Sequence, residues 1–372
     1  MAAEDSKPAV LIVGGLGFIG RNLARYIHEN GLASEMRIVD KVLPQLAYLA
    51  PEFEEACKDR FIQADASREQ SMSRIFDREN GQQFDYVFNC AGNNRSSLDA
   101  QVYKMQNLSL STTLGKEAAK RGVKAFVEAS TALIYKNSST PCKETDKEQP
   151  WGKLAEYKQE AEKELRKIPN LNAVALRFPY VYGEYDRRLV AIAVCLARTN
   201  EYLGNDFEML DTKDLKINTL HVLDAARALW TAAEWRAKQG PGNEPFLFNV
   251  VDATDTTQGH LADALTSIFN IKVTFTGSLA TMLAKLTLDE IIDDMNEVSL
   301  QGWADLLAEK QITRPGPINP FIERDLFNAK DLCLDGSLFM KTTGFKLERP
   351  TFNADAIREM IASYERMGWW PK

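Results

Sequence analysis

The feature that most constrains this chain is a short apolar run that ends in regularly spaced glycines, Val10-Leu-Ile-Val-Gly14-Gly15-Leu16-Gly17-Phe18-Ile19-Gly20, followed by an amphipathic stretch. A buried strand, a tight turn and a helix fit this order. Gly14 permits the turn, Gly17 lets backbone N–H groups approach a pyrophosphate, and Gly20 lets the helix pack on the strand. The positive end of the helix then faces the anion, with Phe18 and Ile19 in its first turn. The second strand, Arg37-Ile-Val-Asp40, closes on an acid about twenty residues past Gly20, the spacing at which a carboxylate accepts hydrogen bonds from the ribose hydroxyls of a dinucleotide. A 2′-phosphate would face the Asp40 carboxylate, so the pattern favours NAD over NADP, although neighbouring Lys41 softens the repulsion.

From Ala9 to about Phe178, apolar runs alternate with amphipathic helical patterns, the signature of a parallel sheet covered by helices. Strands are expected at Ala9–Val13, Glu35–Val39, Arg60–Gln63, Tyr86–Cys90, Ala125–Ala129 and Ala173–Phe178. Helices are expected at Asn107–Arg121 and Trp151–Lys167. Later helices are expected at Leu189–Thr199, Leu223–Lys238, Gly259–Phe269 and Ala354–Met367, with strands at Leu215–Leu220 and Pro245–Val250. Leu279, Met282, Leu283 and Leu286 recur at helical spacing, and Ile291, Ile292 and Met295 extend their stripe. The expected architecture is α/β: a Rossmann doubly wound parallel sheet over residues 1–180, rejoined by segments near 215–250, with a smaller, mostly helical lobe within 181–372.

A formal net charge of −7 argues against nucleic acid, whose nonspecific binding needs clustered Lys and Arg. The cysteines, Cys57, Cys90, Cys142, Cys195 and Cys333, are scattered without a CxxC pair, so no structural metal is expected and a reducing compartment fits. The acidic start of the chain is unlike a signal or transit peptide, and no apolar run is long enough to span a bilayer, which makes the cytoplasm the expected location.

Further motifs follow in order, and together with the glycine turn they resemble the extended short-chain dehydrogenase/reductase family, the NAD-dependent epimerase/dehydratase group, over roughly residues 8–270. They are Asp65-Ala66, Asn89-Cys90-Ala91-Gly92, Asn107, Glu128-Ala-Ser-Thr131-Ala-Leu-Ile-Tyr135, Leu176-Arg-Phe178-Pro179-Tyr180-Val-Tyr-Gly183 and His221-Val-Leu-Asp224. The resemblance implies that Asp65 and Ala66 lie against adenine and that Cys90, Ala91, Gly92 and Asn107 line the cofactor cleft. It puts Phe178 and Pro179 beside the nicotinamide and Thr131 at the catalytic hydroxyl position. It also implies pairing of two copies through helices near Val102–Arg121 and Leu154–Lys167.

In that family a Tyr four residues before a Lys moves the substrate hydroxyl proton, while the Lys depresses the phenol's pKa and binds the nicotinamide ribose. Here the segment reads Lys153-Leu154-Ala-Glu-Tyr157-Lys158-Gln-Glu-Ala161. With Lys158 at the lysine position, the tyrosine position is Leu154; with Tyr157 at the tyrosine position, the lysine position is Ala161. Neither register keeps the pair. Tyr157, Tyr135 and Tyr180 are candidate replacements for the missing acid. Ala132 and Leu133 stand where dehydratases carry an acidic pair, and Tyr180 where nucleotide-sugar enzymes place an Asn.

Three functions are therefore expected in turn. The first is an NAD-dependent oxidoreductase or epimerase acting on a hydroxyl-bearing substrate such as a sugar nucleotide, with Thr131 and Lys158 in the cleft. The second is a catalytically silent, NAD-bound scaffold or sensor whose C-terminal lobe binds a small molecule or protein. The third is a sterol or lipid reductase, drawing on the apolar stripe near Leu279 and on Trp369-Trp370.

Overall fold

The computed structural model describes residues 7–79, 81–95, 98–277, 288–323 and 330–372. Its centre is a seven-stranded sheet of order β10-β6-β5-β4-β1-β2-β3. The strands are β1 (Ala9–Val13), β2 (Glu35–Asp40), β3 (Phe61–Gln63), β4 (Tyr86–Asn89), β5 (Ala125–Thr131), β6 (Ala173–Phe178) and, after three strands outside the sheet, β10 (Leu247–Asn249). Every adjacent pair is parallel. All of β1 and all of β6 are buried, which is why both read as unbroken apolar runs rather than alternating ones. The order reverses beside β1, so the loops after β1 and β4 diverge and leave a crevice at the carboxyl ends of the strands.

Helices cover both faces. In chain order they are α1 (Phe18–Glu29), α2 (Pro51–Cys57), α3 (Met72–Phe76), α4 (Ala100–Tyr103), α5 (Leu110–Lys120), α6 (Lys153–Lys167), α7 (Leu189–Leu203), α8 (Val222–Ala237), α9 (Gln258–Ile268), α10 (Leu288–Glu309), α11 (Ser337–Thr343) and α12 (Ala354–Arg366). Leu23, Ala24 and Ile27 of α1 and Ala225, Leu229 and Ala233 of α8 pack against one face with Val127 of β5. Leu114 of α5 and Leu165 of α6 pack against the other with Phe126. Because strand side chains alternate, Glu128 and Ser130 fall on the same face as Phe126, under α5 and α6.

Several expectations are corrected in detail. The expected strand near Leu215–Leu220 does not rejoin the main sheet; the strand found there, β9 (Thr219–His221), pairs only with β7 (Tyr180–Tyr182). Another small parallel pair joins β8 (Phe207–Met209) to β11 (Val273–Phe275). Asn107 begins no α-helix: it lies in a π-helical turn over Lys104–Ser109 that precedes α5. The stripe from Leu279 to Leu286 falls outside the described residues. Trp369 and Trp370 are buried in the same core as β1 and α12, with 4% and 6% of their surfaces exposed, so they offer no lipid-facing patch. Among the described residues no helix is long and apolar enough to cross a membrane.

Candidate functional site

The glycine turn is built as its spacing demands. Gly14 adopts φ +75°, and a side chain there would meet the Ala91 backbone at 2.5 Å. A Cβ on Gly20 would lie 2.2 Å from the Gly14 carbonyl oxygen, so the start of α1 rests directly on the turn. Gly17 is exposed, and a Cβ there would meet only the Gly14 carbonyl oxygen, at 3.1 Å. It is the N-cap of α1, yet no side chain caps that end. The N-terminal N–H groups of a helix have no partner within it, and here they open onto the crevice with Phe18 and Ile19 half-exposed.

Asp40 closes β2 beside this turn. Its Oδ2 accepts the Leu16 N–H at 3.1 Å and its Oδ1 accepts the Val42 N–H at 3.0 Å. A carboxylate offers about four acceptor directions, so these bonds fix its orientation and leave room for ribose hydroxyls. Lys41 is exposed and donates to Gln106 Oε1 at 3.1 Å. Asp65 turns back on its own loop, accepting the Ser67 N–H at 3.0 Å and the Ser67 hydroxyl at 2.7 Å and pairing with Arg68 at 3.2 Å. Burial alone would raise its carboxyl; the Ser67 bonds outweigh that and hold it below the usual range. Ala66 is buried behind it.

The loop after β4 forms the other wall. Asn89 Oδ1 accepts the Ala91 N–H at 3.2 Å. Half-exposed Cys90 has its thiol pushed up to about 12 by burial and by the Glu128 charge, so it is no nucleophile. Gly92 lies where a Cβ would meet Asn107 Oδ1 at 2.6 Å and Lys158 Cε at 3.5 Å, which shows how tightly these residues converge. Asn107 is buried and clasps the Asn93 backbone at 2.9 and 3.2 Å, holding this loop open. The residues on both walls fit NAD: the first amides of α1, uncapped by any side chain, for a diphosphate, an oriented carboxylate for a ribose, and a glycine-lined floor.

Beyond this cradle the site departs from an ordinary dehydrogenase. Lys158 is buried on α6, and its Nζ donates to Glu128 Oε1 at 2.9 Å and to the Ala129 carbonyl at 2.9 Å. Glu128, fully buried in β5, also accepts from Asn89 Nδ2 at 2.6 Å and from the Ser111 hydroxyl at 3.0 Å. One helical turn on, Glu162 accepts from the Ser130 hydroxyl and from Arg177 of β6, at 3.1 and 2.6 Å for the latter. Two buried charge pairs thus bolt α6 to β5 and β6. Sequence reasoning missed Glu128, Glu162 and Arg177. For Glu128 and Arg177 the signal available was a charge inside a strand buried on both faces, since such a charge must find a partner; Glu162, on α6, gave none.

Leu154 is half-exposed at the mouth of this seam and carries no proton. Tyr157 is half-exposed too, but the Lys158 ammonium turns to Glu128 and Ala129, not to its phenol. Tyr135 is removed as a candidate acid: it is buried, its hydroxyl donates to Asn249 Oδ1 at 2.7 Å, and burial drives its pKa well above the normal value. Thr131, half-exposed at the end of β5, accepts the Leu133 N–H at 3.2 Å, and among the described residues its hydroxyl proton has no acceptor. Phe178 is buried at the end of β6, with Pro179 and Tyr180 half-exposed after it. Burial pushes the Tyr180 phenol up to about 12.

A doubly wound sheet with a dinucleotide cradle at its switch point and Thr131 and Lys158 beside it defines a nucleotide-cofactor protein of the short-chain dehydrogenase class. The sequence profile of the NAD dependent epimerase/dehydratase family matches residues 10–250, and the chain belongs to that family. No curated protein matches the sequence. Among solved structures, the Bordetella bronchiseptica enzyme WbmG, in complex with NAD and UDP, superposes with a TM-score of 0.68 at 18% identity, covering 98% of this chain and 97% of that one. A UDP-galactose 4-epimerase gives 0.64 at 17%, covering 97% and 100%. The UDP-N-acetylglucosamine 4-epimerase of Methanobrevibacter ruminantium gives 0.63 at 18%, covering 98% of each chain. These likenesses concern the fold.

Proposed function

We propose that this chain holds NAD as a binding protein of the epimerase/dehydratase type in which the family's tyrosine-to-lysine proton relay is disabled. The observation that carries this reading is the double change at one place: Leu154 occupies the tyrosine position, and the Lys158 ammonium is spent on buried Glu128. A general acid or base contributes about 10²–10⁴-fold to rate, and a leucine supplies none of it. Lys158 cannot depress a phenol that is absent. What NAD supplies when bound is a hydride-accepting nicotinamide; what the chain supplies is Asp40 for the ribose, the α1 amides for the diphosphate, and Thr131 to orient a hydroxyl-bearing ligand beside it. Binding of NAD then stabilises the fold by mass action and presents the C-terminal half to a small molecule or protein.

A second reading rests on Tyr180. Its phenol sits half-exposed at the position where nucleotide-sugar enzymes place an Asn, and could carry the proton in an oxidoreductase or epimerase acting on a sugar nucleotide. Burial raises its pKa to about 12, so it is a weak acid that stays protonated near neutrality and donates a hydrogen bond. The experiment is incubation of the full chain with NAD and a panel of sugar nucleotides, sterols and small alcohols, following reduced nicotinamide by absorbance and product isomers by chromatography. Tight NAD binding with no turnover supports the silent reading. Turnover lost in Tyr180→Phe establishes the second.

A further inference from the structure

At the carboxyl ends of β5 and β6, beyond the cradle, the backbone gathers three half-exposed side chains, Leu133, Trp151 and Tyr180. The Trp151 N–H donates to the Leu133 carbonyl at 3.0 Å, which sets the segment leading into α6 beside the turn that follows Thr131. Thr131 itself stands in register with Phe178 of β6, two residues before Tyr180. All three side chains pack on one small cluster that includes buried Tyr135 and Leu334. The Thr131 hydroxyl is therefore flanked by the Leu133 turn on its own strand and by Tyr180 on the next.

What these side chains present is mostly carbon. The Trp151 indole has one polar hydrogen, and it is spent on the Tyr135 carbonyl at 2.8 Å. Leu133 has none. Tyr180 adds a single oxygen, and among the described residues its hydroxyl has no hydrogen-bond partner. That phenol is half-exposed, yet protein encloses it deeply enough for burial alone to push its pKa up to about 12, as expected of a group lining a concavity. A donor held there with nothing to bond carries a desolvation cost that a ligand oxygen would remove. The Thr131 hydroxyl proton is in the same position. Nearby charges are engaged: Lys158 by Glu128, Arg177 by Glu162 and Glu148, and Arg188 by Glu323 and Asn94. Lys330 lays its ammonium over the Trp151 ring, 5.4 Å from its centre. A charged ligand would leave water for a surface of carbon and two neutral hydroxyls, which is costly; one uncharged oxygen on an apolar body matches that surface.

We propose that this patch seats an uncharged, largely apolar ketone or alcohol, with its oxygen bonded by the Thr131 and Tyr180 hydroxyls and its body against Leu133 and Trp151. The inference rests on the reading of the crevice as an NAD site, and it narrows the second ligand to one that carries no phosphate. Both hydroxyls donate to a ketone oxygen; toward an alcohol, one of them turns acceptor. Seating requires no bond to form or break, so it is compatible with a chain that turns nothing over.

The test is a ligand-observed NMR titration of the NAD-loaded full chain with acetophenone, 1-phenylethanol, benzoate and UDP-glucose, after calorimetry has measured NAD binding itself. Acetophenone and 1-phenylethanol should bind. Benzoate, which has the same ring and a full charge, and UDP-glucose should bind at least about 10-fold more weakly. Tyr180→Phe removes an oxygen that bonds nothing in the protein, so the ligand-free melting temperature should hold while affinity for acetophenone falls about 3- to 10-fold, as loss of one neutral hydrogen bond predicts. Leu133→Asp places a charge on the carbon surface and should abolish binding of both phenyl ligands. Arg358→Gln, whose exposed side chain pairs with Asp355, is the surface control and should match the unaltered chain. Tighter binding of UDP-glucose than of acetophenone, or acetophenone affinity untouched by Tyr180→Phe and Leu133→Asp, overturns the apolar seat while NAD binding stands. Failure of the unaltered chain to bind NAD overturns the parent reading instead, and this one with it.

Discussion

The cofactor cradle and the seam between β5 and α6 lie at the same edge of one sheet, yet they are made of different parts. The cradle is mostly backbone: amides at the end of α1, glycines that let chain segments touch, and one carboxylate at the end of β2. The seam is entirely side chain, an ammonium, two carboxylates, a guanidinium and the hydroxyls between them, all buried. A backbone site survives most substitutions that leave the glycines and Asp40 alone. A side-chain site is rewritten by one residue. Cofactor binding and catalysis can therefore part company within a single fold.

The largest effect should come from breaking the cradle's backbone contact. Gly20→Val puts its Cβ 2.2 Å from the Gly14 carbonyl oxygen, a backbone atom that cannot swing aside. Forcing α1 off the turn costs about 1–3 kcal/mol or more and misplaces the amides. NAD binding by calorimetry should fall below detection in a protein that still folds, with a lower melting temperature. Retained affinity would show that the diphosphate is not held by this turn.

The next largest lies in the seam. Glu128→Leu leaves the buried Lys158 ammonium without its counter-charge, and breaking a buried pair in this way costs about 3–5 kcal/mol. Urea unfolding should show the loss, and Glu128→Leu combined with Lys158→Met should recover most of it, because two apolar groups replace a pair rather than orphan one partner. NAD affinity should change far less than in Gly20→Val. If the double variant is as unstable as the single, the ion pair is not what holds α6 to β5.

Acid should act on buried groups outside both regions. His221, in the small β7–β9 pair beside Gly183, is 1% exposed, and its Nε2 has no hydrogen-bond partner among the described residues. Burial, with Arg349 adding to it, lowers its pKa from 6.5 to about 4. The unfolded chain thus binds the proton first, so His221 contributes stability that is present above pH 6.5 and is lost as pH falls through about 4. Asp186 runs the other way: burial raises it from 3.8 to about 6, so its contribution is present below pH 3.8 and is lost as pH rises through about 6. His221→Phe should flatten the acid limb of a urea-stability profile, by on the order of 1–3 kcal/mol, and leave the limb near neutrality to Asp186 and to Asp252, which burial likewise raises to about 6. An unchanged acid limb would mean that another group carries it.

The same division governs what could be read from the residues alone. The turn was legible because glycine is the residue for which backbone need and sequence identity coincide, and Asp40 because it falls at the end of a strand of known length. The first six strands were legible through their apolar runs. That neither register pairs a tyrosine with a lysine was visible by counting from Lys158. Glu128, Glu162 and Arg177 stayed hidden because each depends on which strand face meets which helix, and alternation assigns the face only after the helices are placed. Arg21 and Arg187 are brought together across a long stretch of chain, where both donate to the Ala47 carbonyl. The pairing of β9 with β7 was missed for a similar reason: three residues of strand carry no mark of their neighbour.

The smallest expected effect sharpens the comparison most. Leu154→Tyr restores the phenol at a half-exposed position with room for it, four residues before Lys158 on the same helix. If the seam had lost only a tyrosine, reduced nicotinamide would form from a suitable alcohol about 10²–10⁴-fold faster than in the unaltered chain. The Lys158 ammonium, however, already serves Glu128 and the Ala129 carbonyl, so it does little to lower the new phenol toward neutrality. Turnover should therefore stay at background while NAD affinity is preserved. A large gain would mean that the lysine is free to turn toward the cleft, and that one substitution separates this chain from an active dehydrogenase.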